Sequence, residues 1–359
     1  MKNSFEKTFS GKKIFLTGNT GFKGAWLTLW LEQIGADVRG YSLKPESGSL
    51  YNKISKKLKC RTVFSDINDH EKLEKEILKF QPDFVFHLAA QSLVRRSYKL
   101  PLYTFGTNLM GTANLLQSLI KLKKKCTAII VTTDKVYENK EWIYPYREVD
   151  RLGGYDPYSA SKSCAEIVTS SYVNSFFNHK NFNLHKKSIS TVRAGNVIGG
   201  GDFSEDRLIP DIVKTIIKNK TITIRNPDSI RPWQYVLEPL SGYLMLAECM
   251  SKEPLKYSGA YNFGPAQDDV LNVRSIAEIA VGIFGKGKYI ISRNKTEPHE
   301  ANMLRLDISK ASNVLNWHPV LNTNEAVRRT IAWYKSSLAK NADAFELCLK
   351  EISEFENQR

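Results

Sequence analysis

No stretch of the chain approaches the ~18 uninterrupted apolar residues that a membrane-spanning helix needs, and no repeat or low-complexity tract is present. The opening MKNSFEKTFS scatters charge through its length and has no apolar core, so neither a signal peptide nor an anchor is expected. The expectation is a cytoplasmic protein with no membrane partner. Cysteine is sparse: Cys60, Cys126, Cys164, Cys249 and Cys348 are odd in number, widely spread and free of any C-x-x-C pair. That spacing excludes a zinc ribbon or a dithiol redox motif, and it predicts free thiols in a reducing compartment with no metal. Acidic residues are also in short supply, with 52 Lys and Arg against 37 Asp and Glu, a formal charge of +15. The lysine runs at 56–59, 121–125 and 185–187 lie apart and carry no interleaved aromatics. They read as solvated surface rather than a nucleic-acid groove, and their field draws anionic small molecules.

What is present is a rhythm. At 359 residues the chain exceeds a usual single core, and 42% hydrophobic with 25% charged residues is ordinary for a globular protein. Short β-branched runs (KKIFLTG, DVRGYSL, CRTVFSD, DFVFHLAA, CTAIIVTT, KSISTVRAGNV) alternate with amphipathic stretches (GAWLTLWLEQIG, HEKLEKEILKF, TNLMGTANLLQSLIKL, SASKSCAEIVTSSYVNSFF). This predicts an α/β fold, a Rossmann-type doubly wound parallel sheet, with a ligand crevice at the carboxyl ends of the strands. Beyond Asn196 the rhythm breaks into Gly- and Pro-rich loops between short elements, with amphipathic helices in NVRSIAEIAVGIFG and NTNEAVRRTIAWY. A smaller α/β substrate-binding lobe is expected there. The division expected is 1–195 with 235–262 for the sheet domain, and 196–234 with 263–359 for the lobe.

After the first strand comes TGNTGFKG, with Gly18, Gly21 and Gly24 three apart and a helix directly behind. Glycine is needed where a backbone turns tightly, approaches a pyrophosphate and lets the helix pack on the strand. The usual acid at the end of strand two is missing: GYSLKPES offers Ser42 and Lys44, which leaves NAD against NADP open from these residues. Asp66, at the end of strand three, is a partner for an adenine amino group or a turn residue.

YDPYSASK places Tyr158 and Lys162 four apart at the start of a helix, hence on one face. An ammonium beside a phenol favours the phenolate, so the tyrosine works as a base near neutral pH. Together with the glycine loop and Thr133 at a strand end, this set resembles the extended short-chain dehydrogenase/reductases. The stretches TGNTGFKGAWLTLWL, FHLAAQSLVRRSY, TTDKVYENKEW, GGYDPYSASKSCAE, VRAGNVIGGGD, RPWQYVLEPLSGY and PHEANMLRLDISKA resemble, in order, the motifs of that family's CDP-glucose 4,6-dehydratase branch.

The resemblance implies an internal redox cycle on a nucleotide-diphosphate sugar (CDP-glucose) in which bound NAD is returned unchanged. Tyr158 takes the proton of the 4-hydroxyl, Thr133 holds that oxygen, and Lys162 anchors the nicotinamide ribose. Asp134 is then the acid that protonates the departing 6-hydroxyl, and Lys135 the base that takes the C5 proton. Strand alternation splits neighbours onto opposite faces, so both reach one sugar only if the backbone turns at Asp134. The cofactor set implied is Gly18, Thr20, Gly21, Phe22, Lys23 and Gly24 in the loop, with Asp66 and Ile67. It continues through Ala89, Ala90, Gln91, Asn108 and Thr132, together with Tyr158 and Lys162. The substrate set implied is Ser92, Arg96, Asn196, Arg207, Leu208 and Arg231, with Tyr235 and His299. The helices beginning near Thr107 and Ser159 are expected to pair with those of a second copy in a homodimer or homotetramer.

Competing readings are a GDP-mannose or dTDP-glucose 4,6-dehydratase, a nucleotide-sugar 4-epimerase and a cofactor-sensing binding protein of the same fold. An epimerase has no use for the Asp134–Lys135 pair, and a silent binder has none for an intact Thr, Tyr, Lys set.

Overall fold

The apolar runs of the first half become strands β1 (Lys13–Thr17), β2 (Asp37–Ser42), β3 (Arg61–Phe64), β4 (Phe84–His87), β5 (Cys126–Val131) and β6 (Lys187–Ala194). The structure is a computed structural model that describes residues 4–224, 227–228, 230–269, 271–291 and 304–359. Shorter strands follow: β7 (Asn196–Ile198), β8 (Ile222–Ile224), β9 (Ile230–Arg231), β10 (Trp233–Tyr235), β11 (Ala260–Phe263), β12 (Leu271–Asn272) and β13 (Tyr289–Ile291). Among the described residues, seven of these pair in one parallel sheet of order β11-β6-β5-β4-β1-β2-β3. Strands covered on both faces need apolar side chains at every position, which is why the runs lack polar alternation. Ile14 and Leu16 enter one core with Trp26 and Phe86, while Phe15 between them enters the other with Val85 and Leu115.

The strand order reverses between β1 and β4, the position at which a doubly wound sheet takes a ligand in a crevice at the carboxyl ends of its strands. Behind it the Phe22–Gln33 helix is apolar all round, with every residue from Gly24 to Leu31 buried. A helix of that composition must be covered on both sides. One side lies on the sheet, and the other meets a C-terminal helix, Ala344–Gln358, that sequence reading did not anticipate. Trp30 Nε1 donates to Glu356 Oε1 at 2.7 Å, and its ring meets Phe355 edge-on at 5.9 Å.

Two expected elements differ in the structure. The run KSISTVRAGNV is one strand in sequence, yet it breaks at Gly195: β6 stays in the main sheet, whereas β7 leaves it to pair with β10. A Cβ at Gly195 would stand 3.2 Å from Asp134 Oδ2, so the break occurs where the chain passes Asp134. The long helix from Thr107 begins instead with a π-helical turn, Gly106–Met110, before the regular helix Gly111–Lys121. Gly111 lies against Ile67, which a Cβ there would approach to 2.6 Å.

Candidate active site

The loop between β1 and the Phe22–Gln33 helix has a shape that side chains would destroy. Gly18 has φ +73°, and a Cβ on it would lie 2.6 Å from the Ala89 amide nitrogen; one on Gly24 would lie 2.1 Å from the Gly18 carbonyl oxygen. Gly21 begins the helix without any side-chain cap, leaving the first-turn amides for an anion. This cradle fits a dinucleotide pyrophosphate. Thr20 Oγ1 and Ser42 Oγ are hydrogen-bonded at 2.7 Å, so the end of β2 is tied to the loop by a hydroxyl pair in place of an acid, and Lys44 is exposed. Phe22 is half-buried. Asp66 Oδ1 accepts from the backbone N–H and the side-chain amide of Asn68, at 2.9 and 3.0 Å, which makes it a turn residue in this structure. Ile67 is buried beneath Gly111.

On the other side of the crevice, Thr17 Oγ1 accepts from the Ala89 N–H at 3.2 Å and is bonded to His87 Nδ1 at 2.7 Å. Burial, and secondarily the charge of Lys162, lowers the His87 pKa to about 3, so the ring stays neutral. Asn108 Oδ1 accepts from the Gln91 N–H at 2.9 Å, while its Nδ2 donates to the Gln91 carbonyl at 3.0 Å and to Ser161 Oγ at 2.8 Å. The Gln91 side chain is held by Thr104 and by the Leu93 amide. Both side chains are therefore committed inside the protein, where they hold the Ala89–Gln91 backbone against the Pro157–Ser175 helix.

β5 runs into Thr132 and Thr133, and the chain then turns through a 3₁₀ segment, Asp134–Val136. This turn overrides strand alternation and lets Asp134 and Lys135 meet. Thr133 Oγ1 donates to Asp134 Oδ1 at 3.0 Å, and Lys135 Nζ donates to the same oxygen at 3.1 Å. Asp134 is buried, whereas the Lys135 side chain keeps 34% of its exposure. Tyr158 lies beside them in the first turn of the Pro157–Ser175 helix. Burial raises its pKa; the Lys135 charge, a hydrogen bond with Thr133 and the Arg207 charge pull it down, and Asp134 adds to the rise. The cation expected to lower it, Lys162, instead donates to the Val131 carbonyl at 3.0 Å. Burial and the neighbouring Lys23 bring the Lys162 pKa down to about 7. Lys23 is in turn lowered to about 8 by burial and by Arg207, against the pull of Asp134. Lys23, Lys135 and Arg207 thus gather positive charge about Asp134 and Tyr158, an environment that suits diphosphate ligands.

Of the expected substrate residues, Asn196 begins β7, and Arg207 caps the Leu208–Ile217 helix while donating to Asp202 at 2.9 Å. Ser92 and Arg96 are exposed after β4, with Arg96 over the Tyr103 ring at 5.9 Å. Arg231 is described through its backbone, paired with Leu271, and His299 lies outside the described residues. Tyr235 is fully buried: its hydroxyl donates to Glu351 Oε2 at 2.7 Å and its ring packs edge-on against Trp26 at 6.5 Å. It ties the C-terminal helix to the core in place of the substrate contact expected of it. Sequence reading also passed over Glu166, Arg193 and Tyr137, a buried group behind the reactive turn. The one signal for Glu166 was its spacing, four after Lys162 and eight after Tyr158.

A family model described as GDP-mannose 4,6 dehydratase matches residues 15–330. The CDP-glucose 4,6-dehydratase of Salmonella typhimurium (strain LT2) is 45% identical over 98% of this chain and 98% of its own. A dTDP-D-glucose 4,6-dehydratase of Dictyostelium discoideum is 26% identical over 93% of this chain and 85% of its own. Among solved structures, the UDP-glucose 4-epimerase of Thermotoga maritima with UDP-glucose superposes with a TM-score of 0.77 at 22% identity, covering 91% of this chain and 100% of that one. The dTDP-glucose 4,6-dehydratase of Streptomyces venezuelae with NAD bound superposes with a TM-score of 0.76 at 22% identity, over 90% and 97%.

Proposed function

The chain belongs to the GDP-mannose 4,6 dehydratase family, and from that premise we propose that it is a hydro-lyase converting CDP-glucose to CDP-4-dehydro-6-deoxy-glucose with NAD. The observation that carries the reading is the meeting of Asp134, Lys135 and Tyr158 at one turn: proton donor, proton acceptor and oxidation base around a single position. The 45% identity to a CDP-glucose 4,6-dehydratase over nearly the whole of both chains supports the choice of nucleotide. Residues 1–195 with 235–262 act as the cofactor-binding unit, and 196–234 with 263–359 as the substrate lobe.

The glycine loop, the Ala89–Gln91 backbone and Lys162 would hold NAD. When bound, NAD accepts hydride from C4 and gives it back at C6. Tyr158 takes the proton from the 4-hydroxyl, and Thr133 steadies that oxygen. With C4 oxidised, the C5 proton is acidic. It passes to the Lys135 amine as the C6–O bond breaks, and the Asp134 carboxylic acid protonates the departing hydroxyl to water. Lys135 later returns its proton to C5. Over the cycle, the proton Tyr158 gains from O4 balances the one Asp134 loses to water. Lys135 Nζ and Asp134 Oδ1 are 3.1 Å apart, close enough for a proton to pass from nitrogen to oxygen and give the amine and carboxylic acid that elimination needs. Arg207, with Arg231, takes the substrate diphosphate, since a guanidinium suits bidentate phosphate contact.

Exposed Leu102, Met110 and Ile167 lie on helical segments that pack together. We read this as the face of a homodimer. Incubation with CDP-glucose, and separately with GDP-mannose and dTDP-glucose, followed by mass spectrometry tests the substrate. Loss of one water from CDP-glucose alone is expected. Loss from another nucleotide sugar in its place overturns the base assignment, and no loss from any of the three overturns the activity.

A further inference from the structure

Thr132 and Tyr137 flank the reactive residues, one on each side of Thr133, Asp134 and Lys135. Both are fastened by the same buried ion pair. Glu166 lies on the Pro157–Ser175 helix, one turn beyond Lys162 and two beyond Tyr158, with its side chain 4% exposed. Its Oε1 accepts from Thr132 Oγ1 at 2.5 Å and from Arg193 Nε at 2.9 Å; its Oε2 accepts from Thr191 Oγ1 at 2.6 Å and from Arg193 Nη2 at 2.9 Å. Thr191 and Arg193 alternate along β6, so both face the helix. The remaining guanidinium nitrogen, Arg193 Nη1, donates to the Tyr137 hydroxyl at 2.7 Å and to the Glu148 carbonyl at 3.1 Å. The Tyr137 hydroxyl donates to Asn262 Oδ1 at 2.7 Å, and Asn262 Nδ2 donates to the carbonyls of Tyr146 and Asp307 at 2.9 and 3.1 Å. The guanidinium carbon also sits 4.9 Å from the Tyr137 ring centroid.

We infer that Glu166 and Arg193 are positioning residues for the elimination step: a two-ended clamp that fixes the turn by which Asp134 and Lys135 are presented to one sugar. The inference rests on the dehydratase reading. Neighbours in a chain face one ligand only if the backbone between their flanks is held, and here one carboxylate–guanidinium pair holds both flanks. The carboxylate end joins Thr132 to the helix that carries Tyr158 and Lys162. The guanidinium end, through Tyr137, joins the far flank to β11 and to the segment after Leu304. The geometry is specific to arginine, because the fork contacts Glu166 in parallel and still has a nitrogen for Tyr137. Oxidation at C4 depends on Tyr158 and Thr133, close to the helix end of the clamp. Elimination depends on Lys135, nearer the Tyr137 end. Loosening the Tyr137 end therefore damages the second step more than the first.

The test is Tyr137→Phe, which removes the hydroxyl and keeps the ring, alongside Arg193→Lys, compared with wild type on CDP-glucose in single turnovers. The 4-keto-6-hydroxy sugar is trapped by borohydride and the dehydrated product is counted by mass spectrometry. Tyr137→Phe is expected to form the 4-keto sugar at close to the wild-type rate while water loss falls about tenfold or more, so the trapped intermediate accumulates. Arg193→Lys is expected to shift the partition the same way, further. Equal slowing of both steps in Tyr137→Phe, or no change in either, overturns the clamp. Should Arg193→Lys fail to fold, Tyr137→Phe alone decides. A wild-type protein that dehydrates none of the nucleotide sugars overturns the dehydratase reading instead, and the two failures are told apart by that control.

Discussion

Two carboxylate–cation pairs sit on either side of the end of β5, and they are built to opposite designs. Glu166 and Arg193 are 4% and 3% exposed, their contacts are doubled, and both carboxylate oxygens accept two hydrogen bonds each. Burial alone would raise the Glu166 pKa, yet the Arg193 hydrogen bond and charge, with Thr132 and Thr191, hold it below the usual carboxylate range. Asp134 and Lys135 share one contact, with the carboxylate buried and the ammonium stem a third exposed. The first pair has no proton to spare and serves as a fixture. In the second, one oxygen accepts from both Thr133 and Lys135, and the ammonium end reaches toward solvent. In the proposed reaction the doubled pair is structural and the singly bonded pair moves protons.

The comparison breaks most sharply at Lys135. Lys135→Met is expected to stop water loss by roughly a thousandfold while oxidation at C4 continues, since a positioned acid–base group contributes on that order. Persistence of normal dehydration in this variant, measured by mass spectrometry, would remove Lys135 from the chemistry. On the other pair the effect is on folding. Glu166→Leu leaves Arg193 buried without its partner and is expected to cost about 3–5 kcal/mol in urea unfolding, most of it recovered when Arg193 is also made Leu. A cost below about 1 kcal/mol would mean that the pair is solvated in solution.

A third effect concerns Lys162, whose folded pKa of about 7 lies below its ordinary 10.5. Between those values the unfolded chain holds a proton that the folded chain lacks, so this group makes stability rise with pH across that window. Below about pH 7 the penalty is complete. Lys162→Met removes it, so the variant is expected to be more stable than wild type at and below about pH 7, with an advantage that fades toward about pH 10. Thermal unfolding across pH measures this, and an advantage that grows with pH would contradict it.

The sheet was legible in the sequence because a doubly covered parallel strand declares itself as an unbroken apolar run, and the glycine loop because its spacing has a steric cause. The Tyr158 and Lys162 spacing was legible as one helical face. Less local features were not. Nothing in KSISTVRAGNV says that the chain changes sheets at Gly195, where its neighbour is Asp134, some sixty residues earlier in the chain. The C-terminal helix escaped although Cys348, Ile352 and Phe355 form a buried stripe, since ELCLKEISEF reads as mixed and polar. Tyr235 looked like a ligand residue, and only the fold shows that Glu351 takes its hydroxyl. Arg193 sits in a strand reading TVRAG, where a charge in a buried run was the available clue; its partner is 27 residues back on a helix, a pairing that exists only once β5, β6 and that helix are assembled.

The proposed cycle has one crevice oxidise, dehydrate and reduce the same hexose. The most direct measurement uses CDP-glucose deuterated at C4 and locates the label in the product by NMR. A product one water lighter with the deuterium at C6 is expected. Deuterium still at C4, or lost to the medium, would contradict it.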